Sequence, residues 1–220
     1  MEIATLVVQA LGTLAWPAVV AFVVWTFRGP IGTLLTSGTV SVKAGGVEIS
    51  TAARAAAAGA LQNAAADKST PLDALAAGSR VEAGAAAVTA RSSPPRVLWV
   101  DDQPARNGHE RETLIRLGML LEQATSTEQA VQAVMRSAPF DVIVSDMSRA
   151  DDPAAGYDLL ERLRGAGVRT PFVVYSSSAD PAHDAEAISR GAMGSTNDPA
   201  ELLDLIVEAL RRQPPPGAGG

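Results

Sequence analysis

The sequence predicts an α/β fold in residues 96–212, a doubly wound parallel sheet with helices on both faces. Short runs of strand-forming apolar residues alternate there with amphipathic helical segments, as in a parallel sheet that is covered on both sides. Five such strand–helix units follow one another. Right-handed crossovers leave few topologies for five units, and ligands of such sheets bind at the carboxyl ends of the strands.

The first predicted element is a transmembrane anchor in residues 1–30. Its apolar run, Ile3–Phe27, contains no charge and is long enough as a helix to cross a hydrocarbon core of about 30 Å. A cleaved signal peptide and a buried core helix are the alternatives, but a signal peptide normally starts with basic residues, and this chain starts with Glu2. The positive-inside rule then predicts a single-pass protein of the cell inner membrane with a cytoplasmic C-terminal domain, from the basic residues Arg28, Lys43 and Arg54.

Two segments of different character precede the sheet. Residues 31–50 are predicted to form a juxtamembrane hairpin, because alternating valines and isoleucine flank Gly45-Gly46. An isolated hairpin is only marginally stable, so we expect it to pack on the membrane surface, on the sheet domain or on copies of itself. The last of these would form a homo-oligomer. Residues 51–95 are rich in alanine and lack large apolar residues, which predicts a partly helical linker.

The elements of the sheet domain follow in order. The predicted strands are RVLWV, LLEQAT, FDVIVSD, TPFVVYSSS and AMGST. The predicted helices run from Pro104 to Leu117, from Ser126 in a capping-box pattern, through GYDLLERLRGAG, through DPAHDAEAISRGA, and from DPAEL onward. QPPPGAGG, within residues 213–220, has the composition of a disordered tail.

Acidic and hydroxyl residues follow four of the five predicted strands. They are Asp101 and Asp102 after the first strand, Asp146 after the third, Ser176 after the fourth and Asp198 after the fifth. Adjacent carboxylates repel one another unless a positive charge lies between them, and Mg²⁺ prefers carboxylate oxygens. A helix cap before Pro104 would explain one acid of the first pair but not both.

The motifs from Val97 to Leu210 resemble the receiver domain of two-component response regulators, with GYDLLERLR and GAMGS lying between the strand-end residues. The resemblance implies a flavodoxin-like five-stranded sheet in the order 2-1-3-4-5. It implies that Asp101, Asp102 and Asp146 bind Mg²⁺, that Asp146 in VIVSDM accepts a phosphoryl group from a histidine kinase, and that Ser176 in VVYSSS is the switch residue.

Three positions depart from that family. Receivers have a lysine before the proline that follows the fifth strand, and this chain has Asp198 there. Asp198, Pro199 and Glu201 also fit a helix cap, which is the alternative to a metal ligand. The aromatic switch position is Ser195, and the longer loop after Asp146 contains Arg149, a candidate phosphate contact in place of the lysine.

Composition excludes several other functions. The formal net charge of −6 and the lack of a basic cluster argue against nucleic acid as a partner, and the lack of cysteine excludes thiolate and cysteine-based zinc chemistry. No nucleophile–base pair is visible, so we assign no catalytic residue and no enzyme activity beyond autophosphorylation from a phosphodonor. A dehalogenase-type phosphatase would need an acid two residues after Asp101, where Gln103 stands.

The sequence therefore predicts a membrane-anchored, receiver-like signalling protein that binds a protein partner, a histidine kinase or a membrane protein. It acts either as a Mg²⁺-dependent phosphoacceptor at Asp146 or by binding its partner without phosphorylation. The alternative is a pseudo-receiver, an interaction or assembly module that regulates a membrane effector.

Overall fold

The computed structural model of the chain describes residues 40–43, 46–150, 152–176 and 181–212. The strands are β1 (Val40–Lys43), β2 (Gly46–Ile49), β3 (Arg96–Val100), β4 (Leu120–Ala124), β5 (Val142–Asp146), β6 (Phe172–Tyr175) and β7 (Gly194–Thr196). The helices are α1 (Thr51–Asp67), α2 (Ala74–Thr89), a 3-10 turn (Pro104–Asn107), α3 (Gly108–Arg116), α4 (Thr127–Arg136), α5 (Ala155–Gly165), α6 (Pro181–Ser189) and α7 (Pro199–Arg212).

The main sheet is parallel and has the order β4-β3-β5-β6-β7. These labels differ from the predicted 2-1-3-4-5 because β1 and β2 form a separate sheet earlier in the chain. Counted from β3 as the first strand, the neighbours in the sheet are 2-1-3-4-5. The central strand β5 lies between β3 and β6, so the carboxyl ends of these three strands meet at one edge.

Both faces of the central strands β3, β5 and β6 are buried. Along β3, Val97 and Trp99 belong to one apolar cluster, and Leu98 and Val100 belong to the other. The first cluster contains residues of α1, α2, α3 and α7, and the second contains residues of α5 and a buried alanine from each of α4 and α6. This alternation is what a parallel strand covered on both sides requires.

Residues 51–90 differ from the predicted linker, because they form a helical hairpin that packs on the domain. Helix α1 contacts α3 and α7, and α2 contacts α7 and β2. The side chains of Ser50 and Asp73 accept hydrogen bonds from backbone N–H groups and cap the two helices. We call α1 and α2 together the N-terminal helical hairpin. The prediction of a partly helical linker was wrong, because it assumed that a segment without large apolar side chains has nothing to bury, whereas most of the buried residues here are alanines.

Alanine packs here through close approach of the helices. The buried residues of α1 include Ala53, Ala57, Leu61 and Ala64, a spacing of three or four residues that places them on one face. Small side chains on such a face let two backbones come close together, so many weak dispersion contacts replace the volume of a leucine. The hairpin is therefore part of the core of the domain.

Strands β1 and β2 form the antiparallel pair that the sequence predicted, with Val40 opposite Ile49. Val47 and Ile49 are buried in the cluster that contains α2. Residues 44 and 45 of the predicted glycine turn, and the predicted tail in 213–220, lie outside the described residues. Self-association through this hairpin stays a prediction.

The predicted single-pass location in the inner membrane is corrected. Within the ranges that the structure describes, no helix has both the length and the apolar character needed to cross a bilayer. The longest described helix, α1, has 17 residues and contains charged and amide side chains, whereas a span needs about 20 mostly apolar residues. The predicted anchor, Ile3–Phe27, lies outside the described residues.

Packing of the N-terminal helical hairpin on the domain predicts that substitutions of two glycines in α2 change stability in opposite directions. A Cβ on Gly84 would lie 3.0 Å from Leu117 Cδ1, whereas a Cβ on Gly78 would meet nothing within 4 Å. We expect Gly84→Leu to lower the free energy of unfolding by about 1–3 kcal/mol through overpacking. Gly78→Ala should raise it by about 0.5–1 kcal/mol, because glycine is unfavourable inside a helix. Urea unfolding followed by circular dichroism measures the free energy of unfolding of both variants. A Gly84→Leu variant as stable as the wild type would show that α2 does not pack closely on the domain.

Candidate functional site

Three carboxylates converge at the carboxyl edge of the sheet. Asp101 follows β3 and Asp146 ends β5, and these two strands are neighbours. Ligand oxygens of Asp101, Asp102 and Asp146 all lie within 4.8 Å of one another. The structure therefore brings together the three acids that the sequence predicted as a metal site.

The two acids after β3 are held in place by different partners. Asp101 is buried, and its two carboxylate oxygens accept hydrogen bonds of 2.7 Å from Gln103 N and from Asn107 Nδ2. Asp102 is half-buried, and its Oδ2 accepts a 2.8 Å hydrogen bond from Ala150 N in the loop after β5. These bonds fix both carboxylates before any ligand binds.

The electrostatics of Asp146 favour a cation. Burial raises the pKa of its carboxyl, and the nearby charge of Asp101 raises it further. Backbone N–H groups of Ser148 and Met147 and the charge of Arg149 oppose the shift. A group of carboxylate oxygens that repel one another is the donor set that a hard divalent ion prefers, so these residues fit Mg²⁺.

A cavity of about 200 Å³ opens over the acids. Its lining includes the three acids together with Lys68, Gln103, Arg106, Asn107, Ser148, Ala150, Tyr175 and Ser176. Ser176 is buried, and its N–H donates a 2.9 Å hydrogen bond to Thr196 O on β7. The predicted switch residue therefore lies at the pocket and is connected to the next strand.

Tyr175, which precedes the switch residue, is held inside the domain. Its hydroxyl donates a 2.7 Å hydrogen bond to Glu110 Oε1, and its ring packs edge-on against Trp99 with 6.0 Å between centroids. Burial and the adjacent Glu110 carboxylate raise the pKa of Tyr175. The ring forms one wall of the pocket.

Arg149 does not reach the pocket as the sequence predicted. It is 4% exposed and donates from Nη1 to Ser145 Oγ and Asp146 O, both at 2.6 Å. Its Nη2 donates to Thr127 Oγ1 at 3.0 Å and Ala155 O at 2.7 Å. The guanidinium therefore braces the loop after β5, and both terminal nitrogens already have two acceptors each. The predicted phosphate contact is corrected on this geometry.

Asp198 acts as a helix cap. Its Oδ1 accepts a 2.8 Å hydrogen bond from Ala200 N in the first turn of α7, and its own N–H donates to Thr196 Oγ1 at 3.0 Å. It is absent from the described residues that line the cavity. An aspartate at this position adds a negative charge to the domain where the resemblance implies a lysine.

Lys68 and Asn107 are among the residues of the site that the sequence did not predict. Asn107 is buried and connects the acids to the N-terminal helical hairpin, because its Oδ1 accepts a 3.2 Å hydrogen bond from Lys68 Nζ. Lys68 lies 33 positions before Asp101, so no local spacing relates the two. The available signal was that Lys68 is the only basic residue between Arg54 and Arg80.

The hydrogen bonds of Arg149 predict a structural effect of its removal. Arg149→Ala would remove the guanidinium donors that bond two hydroxyls and two carbonyls inside the domain. We expect it to lower the free energy of unfolding by about 3 kcal/mol. Arg162→Ala is the control, because Arg162 is 52% exposed and pairs with Asp158 and Glu128 at the surface, so its loss should cost under about 1 kcal/mol. Equal effects of the two variants in urea unfolding would show that the loop does not depend on Arg149.

The cap of α7 gives a second stability prediction. Asp198→Ala and Asp198→Lys should each lower the free energy of unfolding by about 1 kcal/mol, because both remove the oxygen that accepts from Ala200 N. Asp198→Asn keeps an acceptor and should lose much less. Thermal unfolding measures the three variants. Loss of Mg²⁺ affinity in Asp198→Ala, measured by calorimetry, would instead place Asp198 in the metal site.

Comparison with known proteins identifies the family of the sheet domain. The model of the response regulator receiver domain family matches residues 97–209, just over half of the chain. The two-component response regulator ORR41 of Oryza sativa subsp. japonica is 33% identical over 121 residues, which cover 53% of this chain and 94% of that protein.

A second relative and a solved structure match over the same region. The methanol utilization control regulatory protein MoxX of Paracoccus denitrificans is 30% identical over 122 residues, and this chain spans only 54% of its length. The receiver domain of Francisella response regulator 1452 matches with a TM-score of 0.48 and 22% identity, over 54% of this chain and 98% of that one. The chain belongs to the response regulator receiver family, and residues 97–209 are the receiver domain of a two-component response regulator.

Proposed function

We propose that Asp146 accepts a phosphoryl group from a histidine kinase, and that Asp101, Asp102 and Asp146 together hold Mg²⁺. The observation that carries this proposal is the convergence of the three carboxylates within 4.8 Å at the strand ends of a receiver domain. Receiver domains interact with protein partners such as histidine kinases. We therefore take a kinase phosphohistidine as the donor.

Asp146 has the position and the environment of the nucleophile. In the transfer, a carboxylate oxygen of Asp146 forms a bond to phosphorus, while the bond from phosphorus to the donor nitrogen breaks and its electron pair stays with the imidazole. Burial and the charge of Asp101, which raise the pKa of Asp146, make its oxygen a stronger base. When bound, Mg²⁺ supplies neutralisation of the charge that gathers on the phosphoryl oxygens.

Asp101 and Asp102 position the site rather than react. Asp101 is fixed by Gln103 N and Asn107, and Asp102 is fixed by Ala150 N. Because these bonds exist before a ligand arrives, little reorganisation is needed when the ion and the phosphoryl group bind.

Ser176 is the residue that we propose senses the modification. It follows β6 at the pocket, and its N–H is hydrogen-bonded to Thr196 on β7. Movement of Ser176 toward a phosphoryl oxygen would therefore pull on the contact between the last two strands. A partner that binds the surface near β7 and α7 would read this change.

Binding of a partner without phosphorylation is the second candidate function. Two observations favour it. Asp198 stands where the resemblance implies a lysine and caps α7, and the guanidinium of Arg149 is bonded to Ser145 and Ala155 inside the domain. A domain without a cation for the phosphoryl group would keep its shape and act as a protein interaction module. The two functions differ in whether Asp146 is modified at all.

Labelling with a small phosphodonor separates them. With Mg²⁺ and radiolabelled acetyl phosphate, we expect the full chain to take up phosphate, and we expect Asp146→Asn to take up none. Asp158→Asn is the matched control, because Asp158 is a surface acid of α5 that pairs with Arg162. Labelling that survives Asp146→Asn would move the acceptor elsewhere, and a wild type that stays unlabelled would favour the interaction module.

A further inference from the structure

Lys68, which directly follows the last residue of α1, brings an ammonium group to the cavity over the acids. We propose that Lys68 supplies the positive charge that faces the phosphoryl group on Asp146, so that the N-terminal helical hairpin is a working part of the phosphorylation site. This inference rests on the proposed function of Asp146. It adds a residue from outside the receiver domain and a form of regulation.

Lys68 is held at the pocket by contacts on two sides. Its Nζ donates a 3.2 Å hydrogen bond to Asn107 Oδ1, and Asn107 Nδ2 donates to Asp101 Oδ2 at 2.7 Å. The same Nζ lies 5.2 Å from the centroid of the Tyr175 ring, within the range of a cation–π contact. A lysine ammonium has three N–H donors, and Asn107 takes one of them, which leaves donors for a phosphoryl oxygen.

The end of α1 fixes where this lysine leaves the helix. Ser69 has a left-handed backbone with φ of 57°, its N–H bonds Ala66 O at 3.0 Å, and Thr70 N–H bonds Ala65 O at 2.8 Å. This is the hydrogen-bond pattern of a Schellman cap, and it is formed here around a serine rather than a glycine. The cap and the buried face of α1 together hold the backbone of Lys68 beside the pocket.

Other described cations near the site serve less well. Both terminal nitrogens of Arg149 are occupied by acceptors inside the domain. Arg106 lines the cavity, but its side chain is exposed in the 3-10 turn, and ordering it would cost side-chain entropy. Lys68 is half-buried and already ordered by Asn107 and Tyr175.

Regulation follows from thermodynamic linkage. If Lys68 stabilises the phosphoryl group, docking of the hairpin favours phosphorylation, and phosphorylation tightens docking by the same factor. Anything that pulls α1 away from α3 would then disfavour the phosphorylated state. Residues 51–91 are thereby the regulatory element of this receiver domain.

The test uses the full chain and two titrations by calorimetry, first with Mg²⁺ alone and then with beryllofluoride, an analogue of the phosphoryl group, at saturating Mg²⁺. In Lys68→Gln we expect Mg²⁺ to bind more tightly, because a positive charge near the acids is gone. We expect beryllofluoride to bind about tenfold or more weakly, because a charge-assisted hydrogen bond is lost. A merely structural role would weaken both.

Arg106→Gln is the control for charge alone, because it removes one positive charge from the lining of the same cavity. The Arg106 side chain is exposed, so solvent and salt screen its charge, and we expect little change in either titration. Hydrogen exchange supplies a second readout: beryllofluoride should slow exchange in α1 of the wild type and not of Lys68→Gln.

Three outcomes would overturn the inference. Equal beryllofluoride affinity in wild type and Lys68→Gln would show that Lys68 does not face the phosphoryl group, and the proposed function of Asp146 would stand. Parallel loss of both affinities in Lys68→Gln would assign Lys68 a structural role only. A wild type that binds Mg²⁺ but not beryllofluoride would overturn the proposed function, and the inference with it.

Discussion

Repulsion among three carboxylates at one sheet edge is the constraint on which the rest of this site depends. The parallel strands β3 and β5 are neighbours and pair Val100 with Ser145. The residues that follow this pair, Asp101 and Asp146, therefore lie at the same edge independently of the loop conformations. Two of the three acids are held by hydrogen bonds from fixed donors, and the third is shifted toward its neutral form by burial and by Asp101. The charge of Arg149 partly offsets this concentration of negative charge.

Two cations meet this charge in different ways. Arg149 lies under the loop and uses both terminal nitrogens to hold hydroxyl and carbonyl oxygens of β5, α4 and α5, so it stabilises the backbone that carries Asp146. Lys68 is one of the residues that line the cavity, and Asn107 links it to Asp101 by two hydrogen bonds. Only the second is placed to respond to a ligand that enters from solvent.

Packing of the N-terminal helical hairpin on the domain brings a positive charge, Lys68, to the cavity over the acids. Its alanine faces approach α3 and α7 closely, and this docking places the end of α1 next to the pocket. A receiver domain alone would leave the face formed by α3 and α7 open to other partners. In this chain that face is covered by the chain's own residues, and the cover contributes Lys68 to the site.

The sequence by itself determined the receiver fold and the three acids, because strand periodicity and strand-end position are local properties that a parallel sheet converts directly into a shared edge. It also determined the cap at Asp198, since a cap depends on residues within one turn. Only the tertiary structure decided the contacts of Lys68, Arg149 and the alanine-rich helices. Lys68 and Asp101 are far apart in sequence, and only the fold brings them together. The acceptors of Arg149 lie on several elements inside the domain, so its burial does not follow from the loop sequence. Burial of alanine depends on how closely two helices approach, which no single segment encodes.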